Sequence, residues 1–265
     1  MRPPRDHRGF RILSTHRSPF PSLGRHRMKE REYFDNRAQE YDTQIFDVQG
    51  AVGRDRIHKR AASILLAAEV VHGLRVLDVG CGTGEYTREF RPYAGEFLVS
   101  FDVSIQMVRI AKAKSDGMFM VADAHDLPFK TGVFDRVLGN AVLHHLPDLD
   151  RGLREINRVS KVKKQIAFRE PNLWSPGKFW AFVIPVRKLL TPHRWSPDER
   201  AFSRRTIERK LHKQGYSDVD VRYAGLVLPR CPKKLAPFLY QVENICSRIP
   251  VIRCFLGSLI IRART

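Results

Sequence analysis

The chain has 265 residues, 43% hydrophobic and 28% charged, enough for one large domain with its own core and too balanced for wholesale disorder. No apolar run reaches the roughly 18 residues a membrane-spanning helix needs. The four cysteines, Cys81, Cys231, Cys246 and Cys254, form no CxxC pair or Cys/His ligand set, which speaks against zinc and disulfides and for reduced thiols in the cytoplasm.

The formal charge of +19 is uneven. Residues 1–27 carry seven Lys/Arg against one Asp/Glu, residues 28–172 twenty-two against twenty-one, and residues 173–265 eighteen against six. The middle is nearly neutral and both ends are basic. Such ends suit an anionic partner, whether RNA, a phosphate-bearing substrate or the anionic surface of a membrane, and equally suit a basic surface with no partner.

Residues 1–27 have Pro, Ser and Arg without helix or strand periodicity and are expected to be a disordered basic tail, either transit-like or an extension upstream of a start at Met28. From Met28, "MKEREYFDNRAQEYD" predicts a short helix, and the shared face of Ile57, Ala61, Ile64, Leu65 and Ala68 predicts another over 56–71. Strands are then expected at 75–79, 97–101, 118–121, 136–139 and 165–169, alternating with helices near 85–90, 105–113 and 149–159. That rhythm predicts an α/β fold, a parallel sheet with helices on both faces.

After Pro171 the rhythm stops. Residues 173–200, with Trp174, Trp180 and Trp195, read as an inserted cap. A helix resumes over 203–213, "VDVRYAG" and "SLIIRART" have strand character, and Leu235, Phe238, Leu239, Val242, Ile245 and Ile249 define an amphipathic helix over 233–249. Its plain role is packing against the sheet; with the Trp-rich cap it would otherwise form an apolar cover.

The chemical signal is "VLDVGCGTGEY", residues 76–86. A glycine-rich turn between a strand and a helix lets a ligand approach the backbone and meet free N–H donors. A GxGxxG dinucleotide fingerprint starting at Gly80 would need glycine at position 85, which is Glu85, and there is no GxxxxGK[ST] phosphate loop. The glycines are instead Gly80, Gly82 and Gly84, after Asp78.

With these residues the chain resembles the class I S-adenosylmethionine-dependent methyltransferases, particularly the type 11 and quinone-methyltransferase-like group. The likeness runs over roughly residues 30–225. It implies a three-layer Rossmann-like fold, whose mostly parallel seven-stranded sheet has an antiparallel last strand, and S-adenosyl-L-methionine as cofactor. By the resemblance, Asp78, Gly80, Cys81, Gly82 and Gly84 border the methionine moiety, Asp102 with Val103 meets the ribose hydroxyls, and Asp123 with Ala124 holds the adenine edge. "FDRVLGNAVLHHLPD" would bring Asn140 and Ala141 beside the methionine moiety and His144 and His145 near the transferred methyl, with His145 the first choice of base. Glu170 could face the substrate, and Tyr33, Arg37 and Tyr41 would form a lid. The Pro-Gly-Gly turn common before the fifth strand is missing from "SKVKKQIAFREPN", so that turn must be built otherwise.

The implied reaction is in-line methyl transfer to a small-molecule or lipid-linked acceptor, with no metal. The fourth strand is followed by "NAVL" rather than an (N/D)PP(Y/F)-like run, and no cysteine lies between Cys81 and Cys231, which lowers the nucleic-acid readings. A wobble-uridine carboxymethyl-type tRNA methyltransferase stays open, because "AVLHH" resembles its loop too. A non-catalytic cofactor-binding scaffold is the third reading, disfavoured by the intact glycines and acids.

Overall fold

The computed structural model describes residues 25–176, 196, 199–226 and 231–265. Seven strands form one sheet: β1 (Val76–Val79), β2 (Leu98–Asp102), β3 (Met118–Val121), β4 (Phe134–Asn140), β5 (Ser160–Pro171), β6 (Ser217–Ala224) and β7 (Ser258–Arg264). Their order is β3-β2-β1-β4-β5-β7-β6. The first five are mutually parallel, and β7 runs antiparallel to both β5 and β6. The predicted α/β architecture, with its antiparallel last strand, is observed.

Alternation along the strands explains the layers. Val76, Leu98, Leu138 and Ala167 face one side and pack with Ile57 and Ile64 of α2 (Ala51–Ala68) and Phe90 of α3 (Glu85–Ala94). Leu77, Val99, Val137, Ile166 and Phe168 face the other, against Leu153 and Ile156 of α5 (Leu149–Val159) and Ile207 and Leu211 of α6 (Arg204–Lys213). Both faces are covered, so the short strands read as apolar runs, as in "VLDV". Helix α4 (Ile105–Lys114) contacts β2 and β3, and α1 (Arg25–Arg37) contacts α4. Side-chain caps fix the helix starts: Ser104 accepts from Met107 N–H, Asp148 from Arg151 N–H and Ser203 from Thr206 N–H, each bond worth about 1 kcal/mol.

Three local expectations are corrected. Helix α2 begins at Ala51 rather than Arg56: the extended Gly50 provides its N-cap, and the helix ends at a left-handed Glu69. Strand β5 begins at Ser160, five residues before the predicted start. Lys163 takes a left-handed φ of 59°, its N–H donates to the Thr265 carbonyl at 2.8 Å, and Thr265 N–H donates to the Lys164 carbonyl at 3.0 Å. Residue 265 thus helps to hold the start of β5, where the resemblance leads one to look for a Pro-Gly-Gly turn. The amphipathic helix is present as α7 (Ala236–Arg248), but its packing covers only part of the apolar face: Ala236, Leu239 and Tyr240 pack with Val52, while Phe238 and Ile245 are 58% and 60% exposed.

Of the expected disordered tail, 1–27, residues 25–27 instead form the start of α1, and residues 1–24 lie outside the described residues, as do 177–195 and 197–198 of the expected cap. Among the described residues no helix is long and apolar enough to cross a membrane.

Candidate functional site

The sheet order reverses between β1 and β4, and a crevice opens there beyond the carboxyl ends of the strands. It holds a cavity of about 200 Å³. Its floor is the loop from β1 to α3, in which Gly80, Gly82 and Gly84 have φ of 66°, 53° and 84°, values that disfavour any side chain. The three glycines differ in what surrounds them. A Cβ on Gly80 would run into Val142, and one on Gly84 would stand 2.9 Å from Ala111 Cβ on α4, whereas one on Gly82 would meet nothing within 4 Å. Gly80 and Gly82 line the cavity; Gly84 serves the packing of the loop on α4.

Asp78 is buried beneath this loop and accepts from Thr87 Oγ1 at 2.6 Å. Burial pushes its carboxyl up to about 7, against the opposing hydroxyl bonds. Asp102 ends β2 on the next strand. One of its oxygens accepts from Gly82 N–H at 2.9 Å, the other from Ser104 N–H at 2.9 Å, and burial raises its pKa. The Asp123 carboxylate accepts from His125 N–H at 2.9 Å and contacts His125 Nδ1 at 2.6 Å. Asp148 N–H donates to His125 Nε2 at 3.4 Å, which assigns the ring proton to Nδ1. Asp78, Cys81, Asp102, Val103, Asp123, Ala124, Asn140, Ala141 and Tyr41 all lie on the cavity wall.

The histidine pair divides. His145 is on the cavity wall, with its ring edge-on to Phe34 at 5.0 Å and 3.9 Å from the ring of His144. His145 Nδ1 lies 2.7 Å from Ser196 Oγ, and that hydroxyl donates to Glu30 Oε1 at 2.8 Å. His144 and Glu170, two of the three expected catalytic residues, are buried away from the cavity wall. Glu170 accepts from the N–H groups of Val142, Leu143 and His144 at 3.0, 2.9 and 3.3 Å and lies 2.7 Å from His144 Nδ1. Its carboxylate therefore organises the turn that presents His145, and burial pushes its pKa up to about 7. Ala141, with φ 55° and its N–H bonded to the Arg169 carbonyl at 2.7 Å, starts that turn.

The lid expectation is also divided. Tyr41 reaches the cavity, where burial and the nearby Asp102 raise its pKa. Tyr33 and Arg37 lie off the wall: the Arg37 guanidinium stacks 5.3 Å from the Tyr33 ring and donates to Gln44 Oε1 at 2.6 Å. Sequence reasoning missed Glu30, Arg56, Arg60 and Ser196. Arg56 and Arg60 do lie on the helix predicted over 56–71, but nothing in the local pattern showed which way they face.

Comparison with known proteins fits this geometry. A family model described as a methyltransferase domain matches residues 77–168. Protein MJ1252 of Methanocaldococcus jannaschii is 32% identical over 57% of this chain and 55% of its own, so the match spans about half of that relative. The malonyl-[acyl-carrier protein] O-methyltransferase of Geobacter sulfurreducens is 30% identical over 74% of this chain and 72% of its own. The demethylmenaquinone methyltransferase of Thermotoga maritima is 32% identical over 57% and 67%. The solved structure of a SAM-dependent methyltransferase from Thermotoga maritima superposes with a TM-score of 0.63 at 17% identity, covering 89% of this chain and 99% of the other, which is a likeness of fold. The chain belongs to the class I S-adenosylmethionine-dependent methyltransferases, with S-adenosyl-L-methionine as its cofactor.

Proposed function

We propose that the chain methylates a small-molecule or lipid-linked acceptor in the cavity between β1 and β4, with His145 as the base that takes the acceptor's proton. The observation that carries this reading is the hydrogen-bonded run from Glu30 through Ser196 to His145 at the cavity wall. Because Ser196 donates to Glu30, its oxygen accepts from His145 Nδ1–H. Nε2 is then left as the basic nitrogen of the ring.

The residues suit the cofactor. Gly82 exposes backbone where a Cβ would meet open space, and Asp102 and Asp123 bring carboxylates to the ends of neighbouring strands, suited to hydroxyl and amino donors. S-adenosyl-L-methionine supplies an electrophilic methyl together with its own leaving group. Alignment and exclusion of water fall to the chain. In-line attack needs the reacting atoms about 3–3.5 Å apart, and Phe34, Tyr41 and Ile45 supply an apolar and aromatic side to the wall.

The acceptor class is supported by the relatives' names, one for a malonyl group on acyl-carrier protein and one for demethylmenaquinone. A methyl-incorporation screen against extracted lipids, quinones, acyl-carrier-protein thioesters and total tRNA tests it. Label is expected in the first three classes, and label confined to tRNA would overturn the reading.

A further inference from the structure

A second cavity, of about 420 Å³, lies between α2, the ends of β5 and β6, and α7. Arg56, Arg60 and Arg169 converge on it, and Arg56 and Arg60 also line the first cavity. Arg56 and Arg60 are one helical turn apart on α2, so they share a face. Arg169 approaches the same space from β5 and donates to Ser63 Oγ at 3.2 Å.

Arg56 also donates to the Ile45 carbonyl at 3.5 Å, but none of the three arginines forms an ion pair among the described residues. Arg56 and Arg169 are only 5% and 6% exposed. Their Nε atoms have no hydrogen-bond partner among the described residues. The arginines that form ion pairs among the described residues are others: 31, 88, 158, 204, 222, 262 and 264. The nearby Glu243 carboxylate already accepts from Gly225 N–H at 2.6 Å and Leu226 N–H at 3.0 Å. Burying a guanidinium without a counter-charge is costly, and three facing one space repel each other. Burial followed by the Arg60 charge pulls Arg169 down to about 9 and Arg56 to about 10, which leaves both cationic at neutral pH.

We propose that this second cavity is an anion subsite that holds a phosphate group carried by the methyl acceptor, bound by Arg56, Arg60 and Arg169. This rests on the first cavity being the site of methyl transfer. The charge count favours phosphate: Lys59 is paired with Asp55 at 3.0 Å, so three guanidinium groups against Glu243 leave a surplus of two, matching a phosphomonoester dianion. Guanidinium forks bind phosphate oxygens in pairs, which would satisfy the two orphaned Nε donors. Arg169 does not line the first cavity, so a cofactor carboxylate seated there would not meet all three arginines. The shared lining by Arg56 and Arg60 puts the subsite beside the place where the methyl group is delivered.

Calorimetry on the full chain tests this, with inorganic phosphate as the probe and S-adenosylmethionine titrated separately. Phosphate is expected to bind, Arg169→Gln to weaken it at least tenfold, and cofactor affinity to stay within twofold. Should Arg169→Gln fail to fold, Arg60→Gln, on a less buried residue that lines both cavities, repeats the phosphate arm alone. Unchanged phosphate binding in a folded variant overturns the subsite. So does an equal loss of cofactor affinity in Arg169→Gln, which would assign the arginines to the cofactor's own carboxylate. Glycerol 3-phosphate or vesicles containing phosphatidic acid should displace the phosphate, the first pointing to a soluble acceptor and the second to a lipid; displacement by neither overturns the proposal. A chain that binds the cofactor but not phosphate loses the subsite and keeps the methyl-transfer reading; one that binds phosphate but not the cofactor overturns that reading and with it the assignment of the phosphate to a methyl acceptor.

Discussion

Asp102 ties the glycine loop to the second strand: one carboxylate oxygen takes Gly82 N–H and the other Ser104 N–H, both at 2.9 Å. Each oxygen has an N–H donor facing it, so Asp102→Asn must turn its amide NH2 toward one of those donors. The expected outcome is at least a thirtyfold loss of S-adenosylmethionine affinity by calorimetry. A destabilisation of about 2 kcal/mol, from one unsatisfied buried N–H, should appear in urea unfolding. Wild-type affinity in Asp102→Asn would show that neither the charge nor the loop tie matters for the cofactor.

Neighbouring glycines should separate binding from folding. At Gly82 an added Cβ meets open space, so Gly82→Ala carries only the left-handed strain of about 1–2 kcal/mol and fills cavity volume. At Gly84 the Cβ would stand 2.9 Å from Ala111 Cβ and 3.1 Å from its Cα, so α4 must move. Gly82→Ala should lose cofactor affinity by tenfold or more while keeping most of its melting temperature; Gly84→Ala should show the larger fall in melting temperature. The reverse ranking would refute this division.

Much of the sheet was legible because its signals are local. Apolar runs of four or five residues, helices between them and glycines at a strand end fix β1 to β4, and the acids ending β2 and following β3 stand next to those signals. What stayed hidden depends on distant contacts. Ser196 and Glu30 meet across 166 positions, and Arg169 and Ser63 across 106. Glu170 was expected to face substrate on the family resemblance alone; burial beneath three backbone N–H groups gives it a positioning role instead. The exposure of Phe238 and Ile245 was equally invisible, since periodicity gives a helix its apolar face but not what covers that face.

Asp78 links stability to pH. Burial lifts its carboxyl from 3.8 to about 7, so between those values the folded chain binds more protons than the unfolded one. The stabilisation is fully present below the unfolded value and is lost as pH rises through about 7. Glu170, also raised to about 7 by burial, adds a contribution of the same sign. Asp78→Asn removes one titrating group and keeps an amide oxygen for the Thr87 hydroxyl. Urea unfolding from pH 4.5 to 8 should show a shallower decline with pH in this variant than in the wild type; parallel curves would mean that Asp78 titrates alike in both states.

The His145 assignment makes the most specific kinetic prediction. Ser196 stands between His145 Nδ1 and Glu30 Oε1, which are 3.7 Å apart, so the hydroxyl holds the ring proton on Nδ1 and keeps Nε2 basic. With an acceptor found by the incorporation screen, His145→Ala should lower kcat about 100-fold, the lower end for loss of a positioned base, with KM nearly unchanged and partial rescue by added imidazole. Ser196→Ala keeps the imidazole but frees its tautomer and orientation, so kcat should fall less, about tenfold, and imidazole should give no rescue. Glu30→Gln leaves an amide oxygen for Ser196 and should fall between wild type and Ser196→Ala. Equal losses in all three variants without imidazole rescue would instead assign this run of hydrogen bonds to holding α1 against the cavity, and full activity in His145→Ala would show that the acceptor needs no base.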